Sequence, residues 1–99
     1  MMRLKLENNS YIIFYSELPD VADGNLDFAV ELADGRSYAF TAYTPKNLLY
    51  LMDGNYKEKL EWVERGTIIV RRIDEECIRC AVNVCIEQGI EWFGIEQRI

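Results

Sequence analysis

A chain of 99 residues with 17 acidic and 11 basic side chains, a net charge of −6 and no histidine describes one small domain with room for a single modest core. The acidic balance argues against nucleic acid or an anionic membrane as partner, since both select a basic stripe that displaces counterions; it suits a basic protein or a cation. Hydrophobic residues at 49% and charged residues at 28% are ordinary globular values and exclude wholesale disorder.

The opening MMRLKLENN alternates apolar and polar residues and lacks the apolar core of a signal peptide, so it reads as a strand. No run approaches the roughly 18 apolar residues of a membrane span, and a cytoplasmic location is expected. In RLKLENNSYIIFY a two-residue turn at Asn8-Asn9 pairs Leu6 with Tyr11 and Leu4 with Ile13. That register leaves Arg3, Lys5 and Glu7 on the opposite face.

The next stretch, ELPDVADGNLDFAVELAD at 17–34, holds Glu17, Asp20, Asp23, Asp27, Glu31 and Asp34 without one basic residue. Outside it the signs balance at 11 each, so the whole net charge falls here. DVADGNLD does not meet the spacing of an EF-hand loop, because counting back from Gly24 places Val21 and Pro19 where acids are needed. Asp27 and Glu31 alternate with Leu26, Phe28 and Val30, which sends both acids to the solvent side of a strand. Either a solvated face or a surface that steers a basic partner accounts for them.

LDFAVELADGRSYAFTAY reads as a second hairpin around Ala33-Asp34-Gly35. A three-residue loop pairs Leu32 with Arg36, Val30 with Tyr38, Phe28 with Phe40 and Leu26 with Ala42, matching apolar to apolar. A helix then opens with Thr44 as cap and Pro45 in its first position, and stops at Gly54. Leu48, Leu51 and Met52 form its inward stripe. KLEWVERGTIIVRRI reads as a third hairpin turning at Glu64-Arg65-Gly66, with Trp62 opposite Ile68 and Leu60 opposite Val70; a helix over 57–65 is the competing reading. A second helix runs over about 74–88, with Asp74 as cap, Glu75 and Glu76 at the positive end of its dipole, and Gly89 as stop. Its apolar arc holds Cys77, Ile78, Ala81, Val82, Val84 and Cys85. IEWFGI is a candidate last strand, in which Trp92 and Phe93 face opposite sides and one of them is left exposed. The expected fold class is α+β, an antiparallel sheet built from three hairpins with two helices on one face, in one domain over residues 1–99.

Little in the chain points to catalysis. Without histidine the commonest general base and metal ligand are missing, and neither a Ser–His nor a Cys–His nucleophile can be built within one chain. No glycine-rich phosphate loop is present. The motif CIRC, Cys77–Cys80, lies inside a helix instead of at its terminus, and three acids precede it, which opposes thiolate formation. Cys77 and Cys85 therefore read as buried packing residues, and zinc at Cys77, Cys80 and Cys85 would lack a fourth ligand. Carboxylates are plentiful, but no spacing singles out a glycosidase pair.

From KLEWVERGTIIVRRIDEECIRCAVNVCIEQGIEWF at 59–93 and ELADGRSYAFTAYTPKNLLYLM upstream, the chain resembles a group of small bacterial proteins of about this length. Their shared pattern is an aromatic-bearing strand, a turn, an IIV-RI strand and a helix with an acidic cap. The resemblance carries no catalytic residue. Proteins this small and acidic are similar in size and charge to immunity proteins encoded beside toxins, which implies a basic, nuclease-type toxin as partner.

The expected function is thus non-enzymatic protein binding, with Asp20, Asp23, Asp27, Glu31, Trp92 and Phe93 as candidate partner-binding residues. No cofactor, metal or catalytic residue is expected. The alternative is self-association into a homodimer through an open sheet edge or the EWFGI tail.

Overall fold

The computed structural model describes residues 2–54, 57–58 and 60–97. Its centre is the hairpin of β3 (Asn25–Glu31) and β4 (Ser37–Tyr43), paired as the apolar matching requires: Leu26 with Ala42, Phe28 with Phe40, Val30 with Tyr38. The loop closes where Leu32 N donates to Arg36 O at 2.8 Å, and Gly35 takes the left-handed φ of 91° that a side chain would resist. Leu26, Phe28 and Val30 are all buried on one face, and Asp27 leaves the other.

β1 (Met2–Lys5) and β2 (Tyr11–Phe14) extend this sheet in the order β1-β2-β3-β4, each pair antiparallel. Their register differs by one residue from the expected one: Leu4 faces Ile12 and Lys5 faces Tyr11. The loop holds three residues, Glu7 to Asn9, because Asn9 itself takes the left-handed region at φ 62° and Leu6 N bonds Ser10 O at 2.8 Å. A one-residue slip turns a strand over. Here it turns Ile12 and Phe14 into the core, where Phe14 lies 6.1 Å from Phe28, itself stacked at 5.5 Å on Phe40. That aromatic row outweighs the shorter turn. Arg3 and Lys5 keep the outer face, as expected.

The third hairpin does not form. β5 (Thr67–Ile69) instead runs parallel to β4, Thr41 beside Thr67 and Tyr43 beside Ile69. A hairpin with 60–63 would have left the outer edge of β4 unpaired beside the core, whereas the parallel pairing satisfies its backbone groups. Gly66, at φ 81°, still makes a turn, but it leads into the sheet: its carbonyl accepts from Thr41 N at 2.8 Å. The competing helix over 57–65 is absent from the described residues, since 61–64 carry no regular structure. The remaining half of the β4 edge is taken by β6 (Ile95–Gln97), antiparallel, with Ala39 beside Ile95.

Both helices begin and end where their caps place them. α1 (Pro45–Asp53) starts at Thr44, whose hydroxyl accepts from Asn47 N, and ends at Gly54. α2 (Glu75–Gln88) starts at Asp74, whose carboxylate accepts from Cys77 N at 2.8 Å, and ends at Gly89. They do not share a face. α2 buries Ile78, Val82 and Cys85 against Phe14, Phe28 and Phe40 in the common core. Val84, expected on that arc, is half exposed, and Cys77 is only partly buried.

α1 buries no residue fully; Leu48, Leu51 and Met52 are partly covered, and Leu51 turns to the opposite sheet face. After α2 the chain makes a single 3-10 turn, Ile90–Trp92, so Trp92 and Phe93 are not in a strand. Ile90 goes into the core instead. Among the described residues the result is an α+β fold of six strands and two helices, and no helix among them is long and apolar enough to cross a membrane.

Candidate functional site

With α2 covering one face, the other face of β3 and β4 is left partly open. Asn25 and Asp27 on β3 and Thr41 and Tyr43 on β4 come up from it as two cross-strand pairs. Leu51 of α1 and the segment Trp62, Val63, Glu64 rise beside them, enclosing an open cleft of about 490 Å³. A smaller hollow of about 120 Å³ continues it past Asp27, Thr41 and Glu64 to Arg65, Gly66 and Ile95.

Hydrogen bonds hold the cleft's polar groups. The Thr41 hydroxyl donates to Asp27 Oδ1 at 2.6 Å, and the Tyr43 hydroxyl donates to Glu64 Oε2 at 3.3 Å. Trp62 meets Tyr43 edge-on, ring centres 5.5 Å apart at 71°. Asn25 donates to Asn47 at 2.8 Å, tying the start of β3 to α1. Two carboxylates and two aromatic rings thus meet, with no Lys or Arg among the described residues lining the larger cleft. Arg65, at the far end, is turned to the carbonyls of Glu91 and Gly94.

The candidate acids are distributed, not pooled. Asp27 alone lines the cleft. Glu31, further along β3, reaches Arg3 at 3.5 Å. Asp20 meets Arg72 at 3.0 Å, where the chain bridges Val21 to Ile73. Asp34 is paired with Arg36 at 2.8 Å, and the Arg36 backbone N–H, helped by its guanidinium, holds the Asp34 carboxyl below its ordinary range. Half of the acidic stretch therefore finds its counter-charge on arginines, two of them remote in sequence; each exposed pair is worth little in stability. Asp23 is exposed and forms no ion pair among the described residues.

Trp92 closes the 3-10 turn and Phe93 follows it directly, 76% and 38% exposed. The turn borders the smaller hollow, since Gly66 N donates to Phe93 O at 3.0 Å. The cleft's other members, Asn25, Thr41, Tyr43, Trp62 and Glu64, were not among the candidates. Thr41 was within reach, because pairing Phe28 with Phe40 also sets Asp27 against Thr41. Trp62 and Glu64 were not, because the reading as a hairpin spent them on a strand and its turn.

The cysteines are graded by depth: Cys80 exposed, Cys77 intermediate, Cys85 buried, all free. Burial, then the neighbouring Asp74 carboxylate, pushes the Cys77 thiol up, and burial does the same to Cys85. Neither is activated as a thiolate. Among the described residues no group of three or more His, Cys, Asp or Glu side chains could hold a metal ion. Comparison with protein-family models, with curated proteins and with solved structures finds no match for the chain.

Proposed function

We propose that this chain is a non-enzymatic binding domain that recognises a basic protein through the open face of its sheet. What carries the reading is the cleft of about 490 Å³ in which Asp27 and Glu64 meet aromatic and aliphatic walls. Its carboxylates are exposed and held by single hydrogen bonds, an arrangement suited to receiving positive charge. The net charge of −6 adds long-range attraction that speeds encounter with such a partner. In its fullest form the reading makes the chain an immunity-type protein that covers the positive groove of a nuclease-type toxin. It also keeps the likeness to small bacterial proteins of this size.

A labelled basic peptide of mixed Lys and Arg tests the charge reading directly. Reversing Asp20, Asp23, Asp27 and Glu31 to Lys should slow its association and remove the salt dependence, with circular dichroism unchanged. Equal association rates for the original and reversed proteins at low salt would rule the surface out. One observation favours self-association instead: Trp92 projects from its turn 76% exposed, beside Phe93. Light scattering that shows a stable dimer, together with a blue-shifted Trp92 emission, would support that second reading.

A further inference from the structure

We infer that the outer edge of β1 takes up an extended segment of another protein as an added strand, one with acids at alternate positions. This surface is separate from the cleft and does not rest on the basic-partner reading. β1 ends the sheet, with β2 on its inner side. In their hairpin Leu6 N donates to Ser10 O at 2.8 Å, and the register makes Leu4–Ile12 and Met2–Phe14 the further pairs that exchange hydrogen bonds. The backbone groups of Arg3 and Lys5 therefore point away from β2, without a hydrogen-bond partner among the described residues. Such an edge is a template for one more strand.

Charge decides which strand. The side chains of Arg3 and Lys5 leave the sheet on its open face, both exposed, and residues 2–6 hold no acid. Lys5 forms no ion pair among the described residues, and Arg3 spends one donor on Glu31 at 3.5 Å. A second copy of β1 laid antiparallel about Leu4 would set Arg3 against Lys5 twice, and like charges directly opposite destabilise a pair of strands. An acid opposite each is stabilising instead. The residue between those acids lies opposite Leu4, on the core side. Beyond it, Leu6 and Ile86 wall a hollow of about 280 Å³ beside α2. Glu7 and Glu87 line that hollow too, so an acid is disfavoured there. The pattern that fits is acid, apolar, acid. A second copy of these 99 residues does not supply it, because their one pair of acids two apart, Asp74 and Glu76, encloses Glu75 at the start of α2. β5, also an outer strand, bears Thr67, Ile68 and Ile69 and selects nothing by charge.

The test uses blocked Thr-Glu-Val-Glu-Thr, its Gln-Val-Gln and Lys-Val-Lys counterparts, and a form methylated on both Glu amide nitrogens. Methylation keeps the charges and removes the donors that would face β1. Amide chemical shifts and hydrogen exchange locate the contact. The Glu-Val-Glu peptide should shift the Arg3 and Lys5 amides and slow their exchange. The Gln-Val-Gln and methylated peptides should each bind roughly fivefold or more weakly, and Lys-Val-Lys should leave both amides unmoved. Lys5→Glu should reject Glu-Val-Glu and accept Lys-Val-Glu, whose Lys lies opposite position 5 in an antiparallel strand. The methylated peptide on the unaltered protein keeps the test decisive if that variant misfolds. Equal binding of the Gln-Val-Gln or the methylated peptide overturns the added strand. Shifts without slower exchange at Arg3 and Lys5 overturn it as well. So does the absence of any shift at low salt, which leaves the two cations as a guard against self-pairing. None of these outcomes bears on the cleft.

Discussion

The two faces of one sheet have been put to opposite uses, and β3 shows how. Its even positions, Leu26, Phe28 and Val30, meet α2 and are sealed from water; Asp27 and Glu31 from the same seven residues face outward to arginine, threonine and a cleft. The covered face gains its stability from area removed from water, at about 25 cal/mol per Å². The open face is held by single hydrogen bonds and exposed ion pairs, which add little stability but keep charged groups where a partner could meet them. The difference teaches that a buried apolar row and a solvent-facing charged row can be separated within a single strand by the period of two. Substitutions on the two faces should therefore differ in kind.

The largest effect is expected at Phe28, clasped between Phe14 and Phe40. Phe28→Ala should cost about 3–5 kcal/mol in urea unfolding, a large part of the roughly 5–15 kcal/mol available to a domain of this kind. A loss below about 1 kcal/mol would mean that this face is not the core. Cys85→Ala, on the helix that covers the same face, should cost roughly 1 kcal/mol or more. A maleimide reagent should label Cys80 first and Cys77 more slowly, reaching Cys85 only on unfolding; rapid labelling of all three would contradict the depth order.

Asp74→Ala removes the cap of α2 and should lower Tm by a few degrees. The Cys77 N–H, aided by Arg72, keeps the Asp74 carboxyl below its ordinary value. Its contribution is therefore complete above the unfolded carboxylate value near 3.9 and is lost as pH falls through the lowered one. The variant should show a shallower acid limb below about pH 4, and an acid limb identical to the original's would dismiss the cap as a source of stability. The smallest stability effect belongs to the open face. Asp27→Asn should shift unfolding by no more than about 0.5 kcal/mol. If it instead destabilised the fold as Cys85→Ala does, the division of labour between the faces would fail.

How far all this was legible depended on how local each interaction is. The β3–β4 register, both helix starts and both helix stops came from residues within a few positions of one another: a three-residue loop, matched apolar rows, Thr44 and Asp74 as caps, Gly54 and Gly89 as ends. Such signals are complete in the sequence because the atoms that decide them are neighbours along the chain. The β1–β2 register was decided elsewhere, by the need to bring Phe14 beside Phe28. The parallel seat of β5 depended on the open edge of β4, which no residue of 60–70 could announce. Trp92 and Phe93 left the expected strand because Ile90 entered the core and forced a turn before β6. The acidic stretch found arginines at positions 3 and 72, and the cleft formed only once 62–64 had been carried across to Asp27. Composition and local pattern thus determined the elements and the total charge. Tertiary structure decided which strand edges met and which charges stayed unpaired, because both depend on groups that are distant in sequence and adjacent only after folding.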